Sequence, residues 1–203
     1  MIKQLNIIEV RWHGRGGQGT VTAASILAEA AFFQGYQGVI SMPAFGAERR
    51  GAPVSASTRF SNQPIRVYSQ IETPDAIVVL DETLLKYPKV TEGLKANGWF
   101  IVNSPLKPEE LTINGNFNVA TANCTSICRE LGVMSAGLIV VNTAILGSFA
   151  KATELITMTS IQKALRKRFA DPSLDVNIKA AIKTYDETIL NARHIGKRER
   201  NGS

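Results

Sequence analysis

Apolar and β-branched positions fall along the chain in short blocks between glycine, proline and polar turns, a spacing that predicts alternating strands and helices. Residues 5–13 have the partial alternation of a first strand, and a glycine-rich turn follows at 14–19. Thr20 is placed to cap a helix over 21–33. Residues 39–42 read as a short second strand and 43–53 as a polar loop. Residues 54–60 alternate with period two, as a half-buried strand does. A turn at 62–64 is expected to return the chain in another strand over 65–69. Residues 75–80, 99–102 and 117–120 are apolar runs of the kind found in central parallel strands, with helix-sized connections between them. Helices are then predicted over 124–131 and 137–150. A third opens on the capping-box spacing of Thr159–Gln162 and runs to Phe169, and a last amphipathic helix spans 174–192. The order predicts a three-layer, Rossmann-like α/β sandwich with a mostly parallel, mixed sheet and a helical C-terminal arm. One domain is expected over 1–192, followed by a basic, flexible tail over 193–203.

Composition changes this picture little. The 203 residues are 44% hydrophobic and 20% charged, which excludes wholesale disorder and suits one domain with its own core. No apolar run reaches membrane-spanning length, so no membrane span is expected, and residues 1–10 do not read as a signal peptide. Two cysteines exclude a disulfide scaffold and a four-thiolate iron–sulfur cluster, and they fit a reducing, cytoplasmic setting. The net charge is +6, and from Thr159 onward ten Lys/Arg stand against five Asp/Glu. Lys163, Arg166, Lys167 and Arg168 have helical spacing. Without interleaved aromatic residues they read as a solvated face rather than a nucleic-acid surface, and docking onto an acidic partner is the third reading.

The chemistry is concentrated in two loops. Gly14, Gly16 and Gly19 match G-x-G-x-x-G between a strand and a helix, where backbone and helix N-terminus can approach a phosphate and Arg15 adds a cation. A dinucleotide site would want an acid at the end of the second strand, but that place reads Ile40-Ser41-Met42 and the next acid is Glu48. A P-loop would need Lys before Thr20, and Gly19 stands there. The alternative is a tight turn that needs glycine for packing only. In the second loop, Arg49 and Arg50 follow Glu48 between Gly46 and Gly51. One arginine can pair with Glu48 while the other faces a partner or an anion, unless the loop is merely solvated.

Other residues invite stronger readings than they support. His13 is expected to hold the glycine turn by a hydrogen bond rather than act as a base, and His194 to be solvated. Cys124 and Cys128, one helical turn apart, are expected to be buried apolar residues, since nothing completes a metal site. Asp81 and Glu82 end a central strand, where either ligand contact or helix capping accounts for them.

Residues 11–20 (Arg-Trp-His-Gly-Arg-Gly-Gly-Gln-Gly-Thr) and 44–53 (Ala-Phe-Gly-Ala-Glu-Arg-Arg-Gly-Ala-Pro) together resemble the gamma subunit of the 2-oxoacid:acceptor oxidoreductases. That chain is equivalent to domain III of pyruvate:ferredoxin oxidoreductase. Residues 74–81 (Pro-Asp-Ala-Ile-Val-Val-Leu-Asp) are similar to the family's next strand, and the resemblance covers roughly residues 5–185. It implies a multisubunit enzyme that oxidatively decarboxylates a 2-oxo acid, pyruvate foremost, to acyl-CoA and CO2. Thiamine diphosphate with Mg and iron–sulfur clusters would sit in the alpha, beta and ferredoxin-like partner subunits, and ferredoxin or another acceptor would take the electrons. This chain would carry no catalytic or metal-binding residue and would be inactive in isolation. Gly14, Arg15, Gly16, Gly17, Gln18, Gly19 and Thr20 would lie near the CoA phosphates or cleft. Glu48, Arg49, Arg50 and Gly51 would lie at an interface. The rival readings are a stand-alone nucleotide-binding oxidoreductase and a noncatalytic basic binding protein.

Overall fold

The computed structural model describes residues 7–43, 50–113 and 115–191. Its seven-stranded sheet contains β1 (Ile8–Arg15), β2 (Gly38–Pro43), β3 (Pro53–Ser61), β4 (Ala76–Val79), β5 (Trp99–Asn103), β6 (Asn118–Ala122) and β9 (Ile189–Asn191), in the order β2-β3-β1-β4-β5-β6-β9. Strands β1, β4, β5 and β6 run parallel. β3 lies antiparallel to both β1 and β2, and β9 antiparallel to β6. A separate hairpin pairs β7 (Met134–Ser135) with β8 (Leu138–Ile139). The helices are α1 (Thr20–Gln34), α2 (Cys124–Leu131), α3 (Ile145–Thr153), α4 (Met158–Arg168) and α5 (Ser173–Glu187).

Strand residues point alternately to the two faces, so each central strand feeds two cores. Val10, Trp12, Phe60, Val78, Ile101 and Ala120 pack with the helices in the main core. Ile77, Val79, Phe100, Val102 and Val119 face the other way onto Leu84, Val90 and Phe117. That second cover is thin. The connections predicted to be helix-sized are 3₁₀ turns, Glu82–Lys86, Pro88–Val90 and Pro108–Glu110. After β1 the chain crosses through α1 on the main-core face and builds β2 and β3 on one side of β1. The β4–β5–β6 connections run on the opposite face and step to the other side. The crevice between the carboxyl ends of β1 and β4 is therefore a topological switch point, where open α/β sheets take ligands.

Tertiary contacts moved several elements from their expected places. Residues 65–69 form no strand. Pro64 has no N–H for a ladder, and Ile65 and Ile71 bury individually in a loop whose Val67 carbonyl faces Arg59. The helix expected over 137–150 begins only at Ile145. Its first part is the β7–β8 hairpin, turned at Ala136 and Gly137, both of positive φ. Thr157, rather than Thr159, caps α4, its Oγ1 accepting from the Ser160 N–H at 3.3 Å. The last helix stops at Glu187, and β9 then pairs with β6, so the helical arm packs into the main layer and ends as an edge strand. The tail over 193–203 lies outside the described residues.

Candidate functional site

β1 delivers the glycine turn to the switch point. A Cβ on Gly14 would stand 2.1 Å from Thr20 Oγ1, so the start of α1 tucks beneath the strand end only because that side chain is missing. Gly19, not Thr20, is the N-cap. Its φ of 78° is left-handed, and no side chain caps the helix. Thr20 is instead the first helical residue and is buried, its Oγ1 without a hydrogen-bond partner among the described residues.

The two sequence motifs meet here. The Gly16 N–H donates to the Ala52 carbonyl at 2.9 Å, and the Gly51 N–H donates to the Gly16 carbonyl at 3.1 Å. Arg15 ties three segments together. Its Nε lies 3.1 Å from Asp81 Oδ2, one terminal nitrogen donates to Thr83 Oγ1 at 2.7 Å, and the other donates to the Gly51 carbonyl at 3.0 Å. Gln18 closes the turn by accepting from the Arg15 N–H at 2.8 Å and donating to Asp81 Oδ2 at 2.9 Å. Burial by itself would raise the Asp81 pKa. Hydrogen bonds from Thr83 and Gln18 and the charge of Arg15 outweigh it and hold the carboxyl below its ordinary value. Asp81 thus anchors the turn and caps the following 3₁₀ segment through the Thr83 N–H. Arg50 is exposed beside this junction, while Glu48 and Arg49 lie outside the described residues.

With Arg15 engaged, the free donors are the N–H groups of Thr20, Val21 and Thr22, which bond to no described residue; the first turn of α1 holds no acidic side chain. Two hollows flank the turn. A crevice of about 330 Å³ runs along the strand ends past Gln18, Asp81, Asn103 and Asn123. A smaller one of about 220 Å³ separates Gly17, Gly19 and Thr22 from the β7–β8 hairpin and Asn142. Sequence reasoning missed Asn142 and the hairpin because residues 137–150 read as one helix. The Ala136-Gly137 pair was the available signal.

Among the other tempting residues, His13 is half-buried and accepts from Arg11 Nε at 3.2 Å. Lys163, Arg166, Lys167 and Arg168 are exposed on α4. Cys124 and Cys128 are buried, and desolvation pushes both thiols up, Cys128 to about 12. Disulfide reagents should therefore leave both cysteines unmodified in the folded chain and titrate two thiols after denaturation. Fast native labelling would contradict that burial. Among the described residues no group of three or more His, Cys, Asp or Glu is placed to hold a metal, and no helix is long and apolar enough to cross a membrane.

Residues 9–187 match the family model described as pyruvate ferredoxin/flavodoxin oxidoreductase. The chain is 48% identical over 185 residues to the pyruvate/ketoisovalerate oxidoreductases common subunit gamma of Pyrococcus furiosus, covering 90% of this chain and 97% of that one. The pyruvate synthase subunit PorC of Methanosarcina barkeri is 48% identical over 158 residues, 78% of this chain and 84% of its own length. The crystal structure of pyruvate oxidoreductase subunit PORC from Thermotoga maritima matches with a TM-score of 0.79 at 32% identity, covering 91% of this chain and 98% of the other.

Proposed function

The chain belongs to the pyruvate ferredoxin/flavodoxin oxidoreductase family, and we propose that within such an enzyme it is the subunit that faces CoA and supports assembly. It is the gamma subunit of a multisubunit 2-oxoacid oxidoreductase. The reaction is the oxidative decarboxylation of a 2-oxo acid, pyruvate foremost, to acyl-CoA and CO2. Thiamine diphosphate with Mg supplies the carbon chemistry and iron–sulfur clusters the electron path. We assign both to the alpha, beta and ferredoxin-like partners, as the family resemblance implies; in support for the clusters alone, the two cysteines of this chain are buried in its core. Ferredoxin or a similar acceptor takes the electrons. Cysteine usage favours the cytoplasm. Purified from its host, the chain should elute with larger, iron-bearing partners; elution as a free monomer would count against assembly.

The observation that carries the CoA assignment is the set of unbonded N–H groups opening a 15-residue helix at the switch point, with no acid in its first turn. Such a helix end favours phosphate. Arg15 holds the turn in shape, and its backbone neighbours provide the surface. A dinucleotide-dependent enzyme on its own is disfavoured by topology. Antiparallel β3 occupies the place beside β1 where a dinucleotide fold has its second parallel strand, so no ribose-gripping acid can stand there.

Thr22→Glu tests the reading. A carboxylate in the first turn suits the helix dipole and should leave folding intact or improve it by about 0.3–1 kcal/mol. The same charge repels a phosphate. In the assembled enzyme the KM for CoA should rise roughly tenfold, about 1.4 kcal/mol of binding, with the KM for the 2-oxo acid unchanged. An unaltered KM for CoA would remove the assignment.

A further inference from the structure

The face of the sheet turned away from α1 is covered unevenly. Leu84, Val90 and Phe117 close it over the central strands, and the loop of Val67 lies over Arg59 on β3. A hollow of about 300 Å³ stays open on this face, at the lower end of the range that ligand pockets occupy. Strand pairing sets its floor. Arg11 of β1 stands directly opposite Ser57 of β3, Ser57 in turn opposite Met42 of β2, and Ser55 opposite His13. Strand alternation turns Arg11 away from α1, whereas its neighbours Val10 and Trp12 enter the main core.

Among the described residues, Arg11 is the only charged side chain that lines the hollow. Its guanidinium is held in place, Nε donating to His13 Nε2 at 3.2 Å and Nη2 to the carbonyls of Val90 and Glu92. Nη1 bonds to no described atom. Burial lowers the Arg11 pKa more than the nearby charge of Glu92 raises it, yet an arginine stays protonated, so a partly desolvated cation keeps a donor unspent. The other polar groups are neutral. Ser55, Ser69 and Gln70 have no side-chain hydrogen bond within the described residues, and Ser57 Oγ reaches only the Met42 carbonyl, at 3.4 Å. Met42 and Ile71 give the hollow apolar wall, and Tyr68 leaves an aromatic ring beside it 71% exposed. One fixed cation, neutral hydroxyls and amides, no acid and some hydrocarbon match a singly charged anion with an apolar body.

We propose that this hollow is a binding site for a small organic carboxylate, its anion taken by Arg11 Nη1 and the serine hydroxyls and its apolar body lying against Met42, Ile71 and the ring of Tyr68. Arg11 selects the sign of the charge, and the hydroxyls of β3 and the loop orient it. Nothing here rests on the CoA reading, because the hollow is on the opposite face of the sheet from α1.

The first test titrates the full, isotopically labelled chain with 3-methylbutanoate, and separately with its neutral amide, in chloride at matched ionic strength. The carboxylate should give saturable amide shifts clustered at Arg11, Ser55, Ser57, Ser69 and Gln70, and the amide should not. Equal shifts with both probes would show an apolar groove without anion selection, and no saturable shifts, or shifts confined to Lys163, Arg166 and Lys167 on α4, would equally overturn the site. This arm needs no variant. The second arm uses Ser69→Asp, an exposed loop substitution that places a like charge beside the anion and leaves the bonds of Arg11 untouched. Carboxylate affinity should fall about tenfold with the ligand-free thermal midpoint preserved, and wild-type affinity in this variant would refute the proposal. The third arm is equilibrium dialysis of labelled 3-methylbutanoate against the assembled enzyme. Binding that is lost with Ser69→Asp supports a site for a free acid. Binding by the free chain that disappears on assembly would mean that a partner covers the hollow, and the proposal of a small-molecule ligand would fall.

Discussion

Replacing Arg59 by methionine should lower the thermal midpoint of the chain by about 10 °C, a loss of roughly 3 kcal/mol at the usual 2–4 °C per kcal/mol for a domain of this size. Arg59 is 1% exposed on β3, directly opposite Glu9 of β1, with Nε 2.7 Å from Glu9 Oε1. Truncating one member of a buried pair leaves the other charge without compensation and typically costs about 3–5 kcal/mol. Glu9 keeps some access to water, which puts the expected loss at the lower end of that range. The double variant Glu9→Gln with Arg59→Met should recover most of the loss, because no charge is then stranded. A single variant within about 0.5 kcal/mol of wild type, the ordinary range for surface substitutions, would show that the pair contributes nothing.

Stability should also fall on acidification because of His13. Burial, and then the positive charge of Arg11, lower its pKa from 6.5 to about 4. The unfolded chain takes up the proton first, so below about pH 6.5 it binds more protons than the folded chain and stability declines until about pH 4. At about 1.4 kcal/mol per pH unit, the full loss is about 3 kcal/mol. There is also a geometric consequence. Protonation turns Nε2 into a donor and ends its bond from Arg11 Nε, one residue before the glycine turn. Denaturant unfolding at pH 7, 5 and 4 should show a steeper decline in wild type than in His13→Gln. An imidazole titrating near 6.5 in the folded chain would sink this account.

The parallel centre of the sheet was legible because it depends on short-range pattern. β4, β5 and β6 are buried on both faces, so β4 and most of β5 read as apolar runs, while β6 is apolar but for Asn118 and Thr121. The glycine turn was legible for a related reason, since its glycines answer local demands of φ and close approach. The work of Arg15 was not, because its partners Asp81 and Thr83 are 66 and 68 positions away. As a sequence letter it is a free cation beside a phosphate-type turn; in the fold its guanidinium is shared among three segments. Asn142 was hidden by a misread period. Four apolar residues before it suggested helix, and only pairing between Met134 and Ile139 makes them a hairpin.

By itself, then, the sequence determined the strand–turn–helix at the switch point, the α/β class and the lack of a cysteine set for a cluster, all of which follow from neighbours in the chain or from composition. Tertiary structure decided the rest. It set β3 between β1 and β2, ended α5 in an edge strand, gave Arg15 to Asp81, and left the Asn142 amide facing the open end of α1. These are choices among distant partners. Their free energies depend on which groups are desolvated together, and that is settled only when the sheet and its helices close on one another.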